Sequence, residues 1–478
     1  MTSIIAQIAE EVVENVLKNL TEKGITNVEK TAEEILGVLK EGTLSILTAA
    51  IEDLDETIWQ AKKDRHEDGL TVKARNVERT YLTGLGELKY HRTYYQCKDG
   101  EMLYLVDHLI GVEGYARVSK ELCAKLVENV ANMSLQKAVQ VEDVPVSRQT
   151  VNNKVLAMKE TVAAVERVAE TPSELHLFAD EDHVHLRPKG GTIVPLVTVT
   201  EGIDCTNPKR HKTVSPLHIQ GCGIENSEFA ENIAAAIYER YDIEKVRTVY
   251  IHADGGSWIK PLGNLFPNAV YLMDGFHLEK HFKKFNGLKG ARPYAGAIRQ
   301  AVLRNDFESF AKYCITIREK QDEDGKKKLA DLIIYFQNNW DSIVKRLSGP
   351  YCGSCTEPTV SHVLSDRLSR NPLAWTREGL TKMAMLRVYK KNGGTVTADH
   401  IRVSRSKEDR TKDFHSLKNG FSLYNQYAEK QAKTIFSGPH DWSIFEREHV
   451  LPGLTDGRTS GTQTLLNVYS HICSQLVS

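Results

Sequence analysis

The sequence predicts a mixed α/β core in which three consecutive β-strands lead into two further strands, each of which is reached through a helix. Short apolar runs rich in β-branched residues recur between residues 173 and 277, bounded by Gly, Pro or charged turns. A capped amphipathic helix separates the third run from the fourth. The fourth run is almost continuously apolar, which is typical of a strand covered on both faces of its sheet. We therefore expect a single sheet with helices packed against it.

The length and composition of the chain narrow the classes of protein to consider. Its 478 residues suggest roughly two to four domains. No apolar run approaches the ~18 residues that cross a bilayer, so no membrane partner is expected. The N-terminal residues lack a basic n-region and a small-residue cleavage site, so a signal peptide is not expected. The net charge is −1, so binding to nucleic acid would depend on local basic patches.

The eight cysteines are scattered, and only Cys352 and Cys355 form a CxxC motif. No second pair follows at zinc-finger spacing, so a metal or redox site and two ordinary thiols both remain open. The pattern is typical of a reducing compartment, and we expect a cytoplasmic protein.

The N-terminal third divides into two predicted regions. Residues 1–70 place apolar side chains at helical spacing, which predicts a helical bundle or a dimer arm, and a homodimer or higher oligomer is expected. Residues 71–115 read as short strands joined by Gly-containing turns, a small β-hairpin region. Its Arg92, Tyr94 and Tyr95 either lie against DNA or pack a small sheet, and both readings stay open.

Residues 116–165 resemble a helix-turn-helix. Three short helices are predicted, and Ser147 is placed to cap the last of them. In such a motif the last helix enters the major groove, where short amide, hydroxyl and Arg side chains read bases. The alternative is a plain three-helix linker. The candidate DNA-binding residues are Arg148, Gln149, Asn152, Asn153 and Lys154.

The central region, residues 172–290, has the predicted element order β-β-β-α-β-α-β-α, which is that of an RNase H-like fold. Asp180 is predicted at or near the end of the first strand and Asp254 just past the fourth. These two strands are neighbours in an RNase H-like sheet, so the two carboxylates would face each other. Such hard oxygen ligands suit Mg²⁺ or Mn²⁺, and two ions about 4 Å apart can promote an in-line displacement. Asp182 remains open as the alternative first ligand, because predicted strand ends carry errors of about two residues.

Two further groups are candidates for the same site. Asp274 and His277 follow the fifth strand, where they would supply an acceptor and a donor, although a helix-capping Asp with a solvent-exposed His is equally expected. His183 and His185 alternate with Val184 and would both face the metals, but a third zinc ligand is absent at the usual spacing.

A third acid is expected from a later helix. Residues 291–350 predict an all-helical insertion, and residues 351–390 would complete the core. Glu357 lies there, just before a helix predicted at about 358–369, and Glu378 is the next acid to consider. The last region, 391–478, is mixed, and basic residues interleave with aromatic ones between 382 and 434. This stretch could contact phosphates or be a solvated helical face.

The segments ADEDHVHL, HADGG, LMDGFHLEKH and SHVLSDRLSRNPLAW resemble the bacterial insertion-sequence transposases of the ISLre type, within the Mutator-like DDE superfamily. The likeness covers almost the whole chain. It implies that Asp180, Asp254 and Glu357 bind Mg²⁺ or Mn²⁺, and that Asp274 and His277 lie near the scissile phosphate. Related proteins often carry a zinc-binding cysteine set near the hairpin, whereas Cys97 stands alone here, which counts against a metal-stapled N-terminal domain.

The resemblance implies a DDE transposase of a bacterial insertion sequence, whose partner is double-stranded DNA at the element ends and at the target. The enzyme would bind terminal inverted repeats, nick them by hydrolysis and join the freed 3′-OH to target DNA. Two alternatives remain open: a helix-turn-helix regulator with an inactive RNase H-like domain, and a structure-specific nuclease of the same fold.

Overall fold

The computed structural model describes residues 2–25, 27–159, 161, 165–207, 212–256, 258–349, 355–371 and 374–402. Most of the predicted C-terminal region, including its basic residues beyond 402, therefore lies outside the described residues, as does Cys352. The chain divides into two compact units. Of the described residues, one unit contains those up to Leu122, and the other runs from Cys123 to Arg402.

The first unit joins long helices to a small antiparallel sheet. Asn27 caps the second helix, its side chain accepting a hydrogen bond from the Lys30 backbone N–H at 3.1 Å. That helix packs on the hairpin through Ile58, Tyr90 and Tyr95, which are all fully buried. The elements are α1 (Thr2–Lys23), α2 (Val28–Gln60), α3 (Lys62–Glu67), β1 (Thr71–Thr83), β2 (Gly86–Gln96), β3 (Met102–Leu103) and α4 (Leu105–Leu109).

Two of the three candidate hairpin residues, Arg92 and Tyr95, are buried, and the third, Tyr94, is partly exposed. Arg92 is buried, forms an ion pair with Asp107, and places its guanidinium 3.5 Å from the Tyr104 ring centroid. Tyr94 stacks on Tyr104 at 4.5 Å, and Tyr95 has no exposed surface. Of the two readings of the hairpin, the structure favours packing, because Arg92 and Tyr95 are buried and Tyr94 stacks on a neighbouring ring.

Three short helices, α5 (Lys120–Val130), α6 (Leu135–Glu142) and α7 (Arg148–Leu156), lie where the sequence predicts a helix-turn-helix. Ser147 caps α7 as expected, accepting from the Thr150 backbone N–H at 3.1 Å. Two buried arginines hold this part of the chain to later helices. Arg367 donates to the Val130 carbonyl oxygen at 2.9 Å, and Arg387 donates to the Ala131 carbonyl oxygen at 3.1 Å.

The second unit is built on a mixed five-stranded sheet. Its elements up to the end of that sheet are β4 (Glu174–His185), β5 (Gly191–Thr200), β6 (Ile203–Asp204), β7 (Lys212–Thr213), β8 (Leu217–Gln220), α8 (Asn226–Arg240), β9 (Thr248–Ala253), α9 (Lys260–Asn264) and β10 (Ala269–Met273). The strand order is β10-β9-β4-β5-β8, with β4, β9 and β10 parallel and β5 antiparallel to both neighbours. The predicted mixed α/β class is therefore confirmed. Helix α8 lies between β8 and β9 along the chain, and helix α9 lies between β9 and β10.

The two faces of the sheet carry different cores, because successive strand residues point to opposite faces. On β4, Leu175, Leu177 and Ala179 belong to the core that includes α8 and α9. The even-numbered residues, among them Phe178 and Asp180, point to the other face. At the end of the sheet, Met273 enters a second core, formed mainly by the later helices.

The remaining elements are helical. They are α10 (Gly275–Asn286), α11 (Ala295–Leu303), α12 (Phe307–Arg318), α13 (Glu323–Asn338), α14 (Trp340–Ser348), α15 (Thr356–Val360), a π-helical turn (Ser361–Ser365), α16 (Asp366–Leu368) and α17 (Arg377–Lys391). Helices α11–α14 occupy the predicted insertion. Among the described residues, no helix is long and apolar enough to cross a membrane.

Candidate active site

Asp180 and Asp254 lie in matching positions on two neighbouring parallel strands. The pairing of β4 with β9 runs from Glu174 opposite Thr248 to Phe178 opposite His252, a constant offset of 74 residues. Asp180 and Asp254 have the same offset and follow the last pair by two residues, so both leave the sheet on the same face. Asp180 is in the middle of β4 rather than at its end, because β4 continues along β5 after β9 has stopped.

His277 joins the two aspartates. One ligand atom from each of Asp180, Asp254 and His277 lies within 4.8 Å of the others, a spacing at which one metal ion can be shared. Asp180 is buried, whereas Asp254 and His277 are partly exposed. The group is therefore partly accessible to solvent through Asp254 and His277.

The environment of Asp180 disfavours its negative charge. Burial raises the pKa of this carboxyl to about 6, although the Glu181 backbone N–H donates to it at 2.9 Å. The nearby His277 lowers the pKa, and Asp254 raises it. A buried acid facing a second acid is a position that a cation would stabilise.

Asp274 holds His277 at the site. It is completely buried and caps α10, its Oδ2 accepting from the His277 backbone N–H at 3.1 Å and contacting Nδ1 at 3.2 Å. This hydrogen bond, together with Asp180 and Asp254, raises the pKa of His277, and burial opposes the rise. Because Nδ1 is engaged, Nε2 is the ring nitrogen that remains for a ligand. Asp274 is thus both a helix cap and a partner of the site histidine.

Asp182 is engaged elsewhere, although it shares a face of β4 with Asp180. Its Oδ1 accepts hydrogen bonds from Ser365 Oγ at 3.0 Å and from Ser369 Oγ at 2.7 Å. Burial raises the pKa of Asp182, and the two hydroxyls lower it. This carboxyl fastens β4 to the turn after α15, and it is not one of the three groups that converge.

Glu357 does not join the convergent group. It is exposed in the first turn of α15, directly after the buried Thr356, and its carboxylate is outside the set within 4.8 Å. Its role as third ligand stays a prediction. Glu378 is exposed in the first turn of α17.

The exposed histidines of β4 point the other way. His183 and His185 are odd-numbered and exposed, so they lie on the face opposite to Asp180. The hypothesis that they face the metals is therefore wrong.

The candidate DNA-reading residues occupy the solvent side of α7. Arg148, Gln149 and Asn153 are exposed, and Asn152 and Lys154 are half-buried. Gln149 Nε2 donates to Asn153 Oδ1 at 2.9 Å. Val151 and Val155 anchor the opposite side of the helix in the interior. Arg148, Gln149 and Asn153 are therefore accessible from solvent.

Two features of the site were not foreseen from the sequence. Thr356 is 1% exposed, and its Oγ1 donates to Asp274 Oδ1 at 2.6 Å. Under the aspartates, His252 stacks on Phe178 with ring centroids 4.4 Å apart and hydrogen-bonds His176 at 3.0 Å. Burial lowers the pKa of both histidines, which disfavours a positive charge on either ring.

Comparison with known proteins identifies one group of relatives. A family model described as an uncharacterised protein family, UPF0236, matches residues 20–405. Two UPF0236 proteins of Caldanaerobacter subterraneus subsp. tengcongensis are 32% identical over 387 residues and 33% identical over 394. Both alignments cover 80% of this chain, and they cover 81% and 82% of those relatives. A UPF0236 protein in the vanSb 3′ region of Streptococcus gallolyticus is 23% identical, over 75% of this chain and 82% of its own.

Proposed function

The chain belongs to the UPF0236 family, and we propose that it is a DDE transposase of a bacterial insertion sequence. It would bind terminal inverted repeats, cleave DNA in the presence of Mg²⁺ or Mn²⁺, and join the freed 3′ end to target DNA. The observation that carries the proposal is the convergence of Asp180, Asp254 and His277 near the carboxyl end of β9.

The sheet supports an RNase H-like assignment of the core. Numbered along the chain, its five strands lie in the order 5-4-1-2-3, and only the second strand runs opposite to its neighbours. An RNase H-like sheet has this order, with acids on its first and fourth strands. Asp180 on β4 and Asp254 after β9 occupy those two positions.

The donor atoms fit a divalent cation of the hard type. Two carboxylates face each other, one of them buried and raised in pKa, so a positive charge between them would relieve both desolvation and repulsion. Asp180 and Asp254 would hold the ion, with Glu357 as the expected third acid. When bound, the metal would polarise a phosphate ester and lower the pKa of an attacking hydroxyl.

The protein side chains have their own roles in this proposal. Because its Nδ1 faces Asp274, His277 would present Nε2 to the phosphate whose ester bond is attacked. Asp274 keeps the imidazole oriented and its Nδ1 protonated. Phe178 and His252 exclude water below the carboxylates, which strengthens every electrostatic interaction above them.

The relatives add an independent argument. The name of one Caldanaerobacter relative joins eleven locus labels of a single genome, and that of another joins four. Many copies of one gene in one chromosome are what repeated transposition of a mobile element produces. As part of the proposal, the gene for the present chain would likewise belong to a mobile element. The protein would act as a dimer or higher oligomer, so that two element ends are held together.

The decisive experiment supplies the full chain with a labelled duplex that carries the DNA flanking its own gene, plus Mg²⁺. We expect a nick at the 3′ end of the element and transfer of that end to a second duplex. Asp254→Ala should abolish both reactions. As a matched control, Asp331→Ala removes an exposed acid of α13 and should leave both intact.

The other outcomes identify the rival functions. Cleavage without transfer would favour a structure-specific nuclease. Specific binding without cleavage, unaffected by Asp254→Ala, would favour a helix-turn-helix regulator. Full cleavage by the Asp254→Ala protein would overturn the assignment of the site.

A further inference from the structure

Helix α10 leads away from the two aspartates with one buried and one exposed side. Leu278, Phe282 and Phe285 are buried in the core of the helical insertion. On the opposite side the exposed residues recur at positions i, i+4, i+7 and i+8, which places them in a single row. We call this row the α10 stripe; it consists of Phe276, Lys280, Lys283 and Lys284.

The first member of the stripe is an exposed aromatic ring beside the candidate active site. Phe276 is 48% exposed, although an apolar side chain of this size is ordinarily buried. Its ring meets the His277 ring edge to face, with centroids 5.5 Å apart and planes at 89°. Phe276 therefore contacts a residue of the candidate site while about half of its surface remains exposed.

The three lysines carry positive charge that no described residue neutralises by an ion pair. Glu279, an acid on the same helix, forms an ion pair with Arg299. By contrast, Lys326 and Lys328 of α13 pair with Glu323 and Asp324. The pKa of His281, on the same helix, is lowered mainly by burial. The positive charges of Lys284 and Lys280 lower it further. The helical rise puts about 12 Å between the ends of the stripe.

We propose that the α10 stripe binds the DNA strand that leaves the Asp180–Asp254 pair. The three lysines contact successive phosphates, which are spaced at about 3.4 Å of axial rise per nucleotide, and Phe276 stacks on an unpaired base next to the reacting phosphate. The inference rests on the proposed function for the identity of the DNA. Binding along the stripe does not require that the DNA be cut.

The charge of the stripe is tested by the salt dependence of binding. The probe is a fluorescein-labelled 30-base-pair duplex. It is titrated with the full chain at a series of KCl concentrations, without divalent metal. We expect the slope of log Kd against log salt concentration to fall by about two to three in the triple variant Lys280→Gln, Lys283→Gln, Lys284→Gln. Each lost phosphate contact removes about 0.9 from that slope. The matched control is the triple Gln variant at Lys326, Lys327 and Lys328, which removes the same charge from α13 and should leave the slope unchanged. An unchanged slope in the stripe variant, or an equal fall in both, would overturn the inference.

The aromatic contact is tested with 2-aminopurine in a single-stranded probe, placed in turn at three neighbouring positions in the middle of the strand. We expect the wild-type chain and Phe276→Trp to quench its fluorescence on binding. Phe276→Ala should lose that quenching and bind the strand about ten-fold more weakly. Equal quenching by the Ala and Trp variants would show that Phe276 does not stack on a base.

The two proposals fail in different ways. If the wild-type chain never cuts DNA but the lysine variant lowers the salt slope, the stripe stands and the transposase assignment falls. If the chain cuts and joins DNA but the lysine variant binds with an unchanged slope, the assignment stands and the stripe is overturned.

Discussion

Thr356 Oγ1 donates a 2.6 Å hydrogen bond to Asp274 Oδ1, so the first turn of α15 is tied to the first turn of α10. The other oxygen of Asp274 orients His277. Glu357, the expected third metal ligand, follows Thr356 directly. One threonine therefore links the site histidine to the segment that carries the predicted third acid.

Thr356→Val should lower both stability and turnover. Valine keeps the volume but removes the donor to a buried carboxylate, which costs about 1–3 kcal/mol of the free energy of unfolding. Turnover should fall while DNA affinity stays the same, because Thr356 lies behind the site. Urea denaturation and single-turnover cleavage would measure the two effects. Thr356→Ser retains the hydroxyl and should restore turnover; if it is as impaired as Val, the hydrogen bond is not the cause.

Asp180→Asn should stabilise the metal-free protein at neutral pH. The folded pKa of Asp180, about 6, is above its ordinary value of 3.8, so the folded state binds the proton more tightly. The stability from this group is present below about pH 4 and is lost as the pH rises through 6. Asparagine avoids the buried charge, so its advantage should grow across that window to about 1–3 kcal/mol at pH 7. Chemical denaturation at pH 4, 5, 6 and 7 measures this difference, and a constant difference would contradict it.

Mg²⁺ should stabilise the wild-type protein more than Asp180→Asn, the reverse of the ranking expected without metal. A ligand that binds only the folded state raises its stability, so wild type should melt at a higher temperature in 10 mM Mg²⁺ than in EDTA. Asp180→Asn should gain much less, because one carboxylate ligand is missing. An equal gain in both proteins would place the ion elsewhere.

Much of the core was predictable because local patterns determine it. Short apolar runs bounded by turn residues located β4, β5, β8, β9 and β10, and the order of the elements predicted that the strands of Asp180 and Asp254 are neighbours. The alternation of side chains along a strand places His183 and His185 on the other face of β4, a consequence that the hypothesis of a metal-facing pair overlooked. The Thr356–Asp274 bond and the Ser365 and Ser369 bonds to Asp182 join residues more than 80 positions apart, which no local pattern reports.

The Glu357 assignment shows the limit of the sequence argument. Asp180 and Asp254 are fixed by strand register, whereas Glu357 was placed by resemblance and is exposed on α15. Glu357→Gln should nevertheless abolish cleavage and leave DNA affinity within about two-fold, since a neutral amide is a poor metal ligand. Cleavage assays in Mg²⁺ beside binding in EDTA would measure this. If turnover is retained, Glu378→Gln is the next variant to assay.

The same substitution, Asp to Asn, should affect cleavage very differently at Asp180 and at Asp182. Asp182→Asn keeps an oxygen that can accept from Ser365 and Ser369, so cleavage should stay within a few-fold of wild type. Asp180→Asn should reduce cleavage by at least about a thousand-fold, because it removes a proposed metal ligand. The reverse ranking would make Asp182 the first ligand.

Helix α7 should control which DNA is bound rather than how it is cut. Arg148 and Gln149 are exposed at the start of α7, just after its Ser147 cap, where a recognition helix contacts base edges. Arg148→Ala should weaken binding to the element end by about 1–3 kcal/mol and weaken binding to unrelated duplex much less. Competition titrations with both duplexes would show the difference. Cleavage of the element end at saturating protein should be unchanged, because the substitution leaves Asp180, Asp254 and His277 intact. An equal loss on both duplexes would make Arg148 a phosphate contact, and no loss on either would favour the reading of this region as a three-helix linker.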